Sequence, residues 1–465
     1  MKNHAVTTTG KSWEPKSYKP LVVFRRSVAR ASAALAMLAL SACANNSMQT
    51  QMTTQTTQSP THVTVQTING KSQLIVNGKA FYVKGAGLEF GSPETLAANG
   101  GNAMRTWRTE NGKTSGRAVL DRAWANGLYV VTGIEIARER HGFNYDNPAD
   151  VRRQFEQVKS EVLALKDHPA LILWSIGNEL NLNSKNPKVW NAVNEISRMI
   201  HEIDPHHPTM TTLAGINKEV VDHIKARAPD LDVLGVQMYA DIVNLPRYLR
   251  ESGWTRPYLV TEWGATGHWE VPKTEWGAPI ENDSRVKAEF YRQRFDAAIR
   301  TDTSQCLGSF VFLWEQKQER TPTWYGMFLD SGEKTATVDV MHEIWKGAPP
   351  ANRSPRIVSA SLNGKSAAQN VRVRPGQSAS ANVRATDADG DRLTYRWEVM
   401  EESRDLKEGG DVEARPRTLT GLIAQPAAAQ ITFTTPSARG AYRLFAYVYD
   451  NRGAAAHVNL PFFVE

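Results

Sequence analysis

Leu171-Ile-Leu-Trp-Ser-Ile-Gly-Asn-Glu179 and Pro257-Tyr-Leu-Val-Thr-Glu-Trp-Gly264 decide how this chain is read. Each is a short, mainly apolar run that reaches a glutamate at its C-terminal end. Such a run, without polar alternation, reads as a strand buried on both faces, the habit of parallel sheets. Parallel strands linked by helices close into a (β/α)₈ barrel, and there all strand C-termini open onto one face. The two acids are then expected to share that face.

The neighbouring sequence supplies the rest of the barrel. Val63-Thr-Val-Gln66 and Gln73 to Val83 read as a leading hairpin that turns at Asn77-Gly78. Phe81 to Gly87 leads into the first barrel strand; Gly101 to Trp107 is the second and Gly127 to Ile134 the third. Residues 149–167 have helical periodicity and precede the Glu179 strand, and Pro187 to Ile203 forms another amphipathic helix. Thr209 to Ala214, Leu231 to Tyr239, Tyr258 to Glu262 and Gly308 to Trp314 complete strands five to eight. Strand and helix alternate from about 75 to 348, close to the roughly 250 residues usual for this fold, and the barrel domain is placed at 61–350.

Two carboxylates on one barrel face are what cleavage of a glycosidic bond needs, one protonated to donate and one ionised to attack or to activate water. Here the motifs resemble those of clan A retaining glycoside hydrolases, above all the TIM-barrel domain of glycoside hydrolase family 2, with some family 5 character. Gly177-Asn178-Glu179 is similar to the clan's Asn-Glu signature, in which the Glu is the acid/base. Glu262 in Thr261-Glu-Trp-Gly264 matches the nucleophile of the seventh strand. By the same resemblance Arg105 lies near the nucleophile, Tyr239 hydrogen-bonds it, and Trp314 lies under the bound sugar. Full-length family 2 enzymes carry a jelly roll and an immunoglobulin-like domain before the barrel, and here only a hairpin precedes it. None of the chain's Asn-x-Lys triplets stands out as the glucuronidase-type element, so exo-acting family specificities are not carried over.

The residue chemistry agrees with these roles. An ionised Glu262 raises the pKa of a neighbouring Glu179 by like-charge repulsion. Arg105 keeps Glu262 ionised, and the Asn178 amide is suited to a sugar 2-hydroxyl. Eleven of thirteen tryptophans fall between Trp107 and Trp345. Trp107, Trp263, Trp314 and Trp324 sit at or just after strand ends and are candidates for sugar stacking in the cleft, while Trp124, Trp190 and Trp345 read as helix or core residues. His141, with Glu135 and Arg138, follows the third strand, and Glu315, Gln316 and Gln318 follow the eighth; these polar loop residues are further substrate candidates. No His/Cys cluster has metal-ligand spacing and no Gly-rich phosphate loop occurs, so no metal or cofactor is expected.

At the other end, Arg25, Arg26 and Arg30 precede an Ala/Leu-rich stretch, and Leu40-Ser-Ala-Cys43 follows it directly. This resembles the lipobox of bacterial lipoproteins, which implies a signal peptide over 1–43 and a lipid on Cys43. Ala44 in place of Asp suggests, by analogy with enteric sorting, the outer membrane. The net charge of +7 is carried mostly here: residues 1–43 hold seven Lys/Arg against one acid and leave +1 for the remainder. That balance removes the support for a nucleic-acid partner. Residues 44–60 are polar and uncharged and read as a flexible linker. Cys306 is the sole cysteine besides Cys43, so no internal disulfide is expected.

Beyond residue 350 the pattern changes to short alternating strands at 371–374, 378–385, 393–399, 431–434 and 442–449. Residues 354–465 read as a small all-β, immunoglobulin-like sandwich, and Ala385 to Trp397 resembles PKD and cadherin-like modules. Asp387, Asp389 and Asp391 offer carboxylates to a calcium ion, or form an Asp-Gly turn that needs none; both readings stay open. All assigned site residues precede Trp345, so the sandwich is expected to take no part in the chemistry, and truncation near Pro349 to preserve turnover of a small aryl glycoside.

The sequence therefore leads to a lipid-anchored retaining β-glycosidase of the cell envelope, acting on a β-linked oligo- or polysaccharide of glucan type. A transglycosylase, and a non-catalytic carbohydrate-binding lipoprotein, are the alternatives.

Overall fold

The computed structural model describes residues 59–465. The proposed signal, Cys43 and nearly all of the 44–60 linker lie outside the described residues. Three short strands come first: β1 (Val63–Ile68), β2 (Lys71–Val76) and β3 (Lys79–Phe81), paired antiparallel in that order. Asn69 and Asn77 both adopt positive φ ahead of a glycine, so the leader has two tight turns and not only the one expected at Asn77-Gly78. Val63, Leu74 and Val76 pack against Val131, Ile172 and Phe310 of the barrel interior. Backbone bonds from Val63 to His206 (2.8 Å) and from Ser72 to Ser304 (2.7 Å) fix the leader to segments that precede barrel strands. It therefore plugs the N-terminal end, opposite the mouth.

Eight strands close the barrel: β4 (Val83–Gly87), β5 (Ala103–Arg105), β6 (Tyr129–Ile134), β7 (Leu171–Asn178), β8 (Thr209–Ala214), β9 (Val233–Gln237), β10 (Tyr258–Gly264) and β11 (Cys306–Phe312). All neighbours are parallel, and β11 closes on β4. These are the eight strands expected from the sequence. The helices are α1 (Pro93–Ala98), α2 (Gly116–Ala125), α3 (Pro148–Leu165), α4 (Lys188–Ile203), α5 (Lys218–Arg227), α6 (Leu245–Ser252), α7 (Ser284–Arg294) and α8 (Ala336–Lys346). Local chemistry sets their starts. Asn147 accepts from Ala149 N–H ahead of Pro148 at the head of α3, and Asp283 accepts from two N–H groups at the head of α7.

Every residue of β7 and β10 is buried, which accounts for the missing alternation. The ladders are interrupted just before each glutamate. Pairing of β7 with β8 shifts between Ser175 and Asn178, and pairing of β9 with β10 shifts between Val260 and Glu262. Such irregularities re-aim side chains at barrel rims.

The C-terminal sandwich has two sheets. One is β12 (Arg356–Leu362), β14 (Ser378–Thr386) and β17 (Gln430–Thr434). The other runs β13 (Val371–Val373), β19 (Ala455–Val464), β18 (Gly440–Tyr449), β15 (Thr394–Glu401) and β16 (Thr418–Leu419). β12, β16 and β19 were not expected; β19 carries Ala, His, Asn and Pro461 and lacks a strand-like period. Its residues are nonetheless buried almost throughout, as are those of β18. The outer face of that sheet lies on the barrel: Met400, Phe445, Tyr447 and Ala455 cluster with Leu329. A polar network binds the same junction. Glu281, ahead of α7, accepts from Lys287 at 2.5 Å, Thr321 at 2.6 Å, Thr323 at 2.9 Å and Asn459 of β19 at 2.6 Å. Arg443 of β18 donates to the Pro279 carbonyl at 2.9 Å.

Asp387, Asp389 and Asp391 lie close enough to share an ion. Two of them are already matched by cations, Asp389 by Arg353 at 2.6 Å and Asp391 by Arg452 at 3.2 Å, while Asp387 accepts the N–H groups of Asp389 and Asp391. The Asp-Gly turn thus accounts for the cluster.

Candidate active site

The mouth of the barrel holds a cavity of about 1160 Å³ into which Asn178, Glu179, Gln237, Tyr239 and Glu262 project. Glu262 is the most heavily bonded of them. Its Oε1 accepts from Arg105 Nη1 (2.8 Å), Trp107 Nε1 (2.7 Å) and Gln237 Nε2 (2.9 Å), and its Oε2 accepts from Tyr239 Oη (3.0 Å). Arg105 is 1% exposed, so its charge acts with little solvent screening. Burial, then the Glu262 charge, pushes the Tyr239 hydroxyl well above its ordinary pKa, so it stays a donor. Three donors occupy Oε1 and one occupies Oε2, which leaves Oε2 the freer oxygen.

Glu179 is built differently. It follows β7 in the left-handed region (φ 51°), held by its N–H to the Thr212 carbonyl at 3.0 Å. Strained backbone of this kind concentrates at functional sites. Among the described residues none donates a hydrogen bond to its carboxyl. Burial first, and the Glu262 charge second, push its pKa up to about 8. Repulsion by Glu262, the cause expected from the residues, comes second because a buried carboxyl loses more from leaving water. Glu262 is thus held by four donors while Glu179 is kept protonated by its surroundings, a contrast suited to acid/base chemistry at a single bond.

Asn178 links the two. Its Oδ1 accepts from Arg105 Nη2 (2.6 Å), Gln237 Nε2 (2.7 Å) and Thr212 Oγ1 (3.1 Å). With the oxygen saturated, the amide N–H₂ is the part left to face a ligand. Gln237 escaped the sequence reading, although the signal was available: it ends an apolar strand just as the two glutamates do.

The aromatic assignments divide. Trp107 lines the cleft and bonds Glu262. Trp314, Trp263 and Trp324 do not line it, and all three are fully buried. Trp314 packs on Trp345 and donates to Thr95 Oγ1 at 2.9 Å, Trp263 packs on Tyr291, and Trp324 donates to the Thr266 carbonyl at 2.9 Å. Their assignment to sugar stacking is corrected: strand-end position does not say which side of the sheet a ring takes. The exposed rings of the cleft are Phe90 (72%) and Trp269 (57%), and Trp269 stands edge-on to Tyr239.

His141, Glu135, Arg138, Glu315, Gln316 and Gln318 also line the cleft. The His141 ring is engaged with Asp411 Oδ2 at 2.9 Å, and Glu315 with the backbone N–H groups of 89–91. Asp411 belongs to the sandwich. Residues 408–413 form part of the cleft wall, a contribution that no residue assigned from the sequence had indicated.

Residues 109–270 match the family model described as Glycosyl hydrolases family 2, TIM barrel domain. Over that stretch the barrel is similar to the family 2 TIM barrel domain. The matched stretch contains Asn178, Glu179, Tyr239 and Glu262. No curated protein matches the chain. Among solved structures, the β-D-glucuronidase of Dictyoglomus thermophilum is 18% identical, with 62% of this chain and 54% of that one covered at a TM-score of 0.48. A family 2 β-galacturonidase from Eisenbergiella tayi, bound to galacturonate, is 15% identical, with coverage of 62% and 54% and a TM-score of 0.47. β-Glucuronidase 2 of Bacteroides uniformis is 13% identical, with coverage of 87% and 48% and a TM-score of 0.48. The chain thus spans about half the length of these relatives, and the substrates in their descriptions are theirs.

Proposed function

We propose that this chain is a retaining β-glycosidase acting on a neutral, β-linked oligo- or polysaccharide of glucan type. The observation that carries the reading is the contrast between the two glutamates: Glu262 held by four donors, Glu179 buried, without a donor and with its pKa near 8. Glu262 Oε2 attacks the anomeric carbon while Glu179 gives its proton to the departing oxygen. The covalent glycosyl-enzyme is then opened by water or a sugar hydroxyl, from which Glu179 takes a proton. Asn178 donates to the 2-hydroxyl, a bond that strengthens in the transition state.

Charge supports a neutral sugar. Besides the protonated Glu179, the cleft lining has ten Asp/Glu against Arg108, Arg138 and Lys317, a balance that disfavours a uronate. Phe90 and Trp269 offer exposed rings for the apolar faces of sugars. A panel of β-glucans and aryl β-glycosides, with anomer analysis of the first product, tests the reading. First-formed β-anomer is expected; first-formed α-anomer, or activity confined to uronides, refutes it. Longer chains among the products would assign the second step to transfer.

We also propose that Cys43 carries a lipid that holds the protein at the envelope, on the strength of Leu40-Ser-Ala-Cys43. Cys43→Ala protein is expected to leave the membrane fraction, and unchanged fractionation refutes the anchor.

A further inference from the structure

The strands β15 and β16 form an antiparallel hairpin, with Val399 opposite Leu419 and Met400 opposite Thr418. Hairpin loops usually take two to five residues, and loops beyond about 12–15 are generally functional. The loop here, residues 402–417, is sixteen residues long and reaches away from the sandwich to the barrel mouth.

Its attachments span that mouth. On one side Asn183, in the loop after β7, donates to Glu408 Oε2 at 2.7 Å. On the other, Lys317 and Arg320, in the loop after β11, donate to the Gly410 carbonyl at 2.9 Å and the Lys407 carbonyl at 2.8 Å, and Arg320 also pairs with Glu413. In the ring β10-β11-β4-β5-β6-β7-β8-β9, β7 and β11 stand opposite each other. The loop is therefore a strap across the opening.

The strap lies on the Glu179 side. A Cβ added to Gly409 would stand 2.8 Å from Leu182 Cδ2 and 2.7 Å from Arg140 Nη2, so the backbone approaches closely there. Leu182 closes the turn that starts at Glu179, its N–H donating to the Glu179 carbonyl at 3.0 Å. An acid/base group touches the oxygen of the departing fragment, so whatever packs beside its turn faces that fragment. Val412, 89% exposed and lining the cleft, has no packing role to explain an apolar side chain.

We propose that the strap, through Val412 and Glu408, forms the binding site for the leaving-group saccharide, and for the saccharide acceptor when the intermediate is opened by transfer. This rests on the glycosidase reading above. The test compares wild type with Val412→Asp and Glu408→Ala, both surface changes in the full chain. The substrates are a β-linked glucotetraose, which places sugars in the leaving-group site, and β-glucosyl fluoride, which places none there. The ratio of kcat/KM for tetraose to that for fluoride is expected to fall about tenfold in Val412→Asp. An unchanged ratio in both variants, with wild type active and dependent on Glu262, overturns the strap assignment alone. Wild type inactive on both substrates, and unable to bind glucotetraose as Glu262→Gln, overturns the glycosidase reading and the strap site together.

Discussion

At the residue scale the two carboxylates should fail in different ways. On the proposed mechanism Glu262→Ala removes the nucleophile and is expected to abolish formation of the covalent intermediate. Glu179→Ala should still form it from a dinitrophenyl glycoside, whose leaving group needs no proton, and then accumulate it. Azide should rescue that variant to a β-glycosyl azide, because a small anion needs no general base. An α-configured azide speaks for inversion and against the roles given to both residues.

With Glu179 as the proposed acid, its pKa near 8 predicts the basic limb of the rate profile. kcat/KM is expected to fall as pH rises through about 8, and for a dinitrophenyl substrate that limb should vanish in Glu179→Gln. The same shift has a stability consequence. Its folded pKa lies above the unfolded value, so the native state binds more protons between about 4.5 and 8 and loses stability as pH rises through that window. Glu179→Gln should melt higher than wild type at pH 8, with the gap closing towards pH 4.5. A gap that widens on acidification counts against the buried, protonated carboxyl.

At the element scale, the barrel strands were legible because burial on both faces leaves an unbroken apolar run. Glu179 and Glu262 were legible because a charge ending such a run has few structural uses. The tryptophans were misread because strand position fixes depth along the barrel axis, not the side on which a ring lies. The stretch from 279 to 294 shows a second kind of hidden information. Its Glu281 looks like an ordinary acid before a helix, yet it is buried against Lys287 and bonded to Asn459 of the sandwich. Burial alone raises its pKa, but Lys287 and His457 bring it down to about 2. Glu281→Ala leaves the Lys287 ammonium buried without its counter-ion, and a loss of about 3–5 kcal/mol in unfolding free energy is expected, measured by denaturant titration. A loss below 1 kcal/mol would mean that water reaches the junction and screens the pair.

For the whole molecule, the sandwich closes a buried junction against the barrel and supplies part of the cleft wall. Truncation near Pro349 removes the cover from Leu329, deprives Glu281 of Asn459, and strips residues 408–413 from the cleft wall. The truncated barrel is expected to aggregate or, if soluble, to lose most of its activity on oligosaccharides. A soluble truncate with wild-type kcat/KM on glucotetraose contradicts this.

By itself the sequence determined the barrel, the eight strands, the two glutamates and the arginine and tyrosine that hold one of them. The strands and the two glutamates are local, each following from an apolar run and the polar residue that ends it, while Arg105 and Tyr239 came from the likeness to the family's motifs. Only the tertiary structure decided which rings face the cleft, that Gln237 joins Asn178 to Glu262, and that a hairpin loop some 230 residues after Glu179 crosses the mouth beside it. Those features are made by contacts between segments far apart in the chain. Residue type and spacing set how each segment folds, but its partners are chosen by the closed packing of the whole.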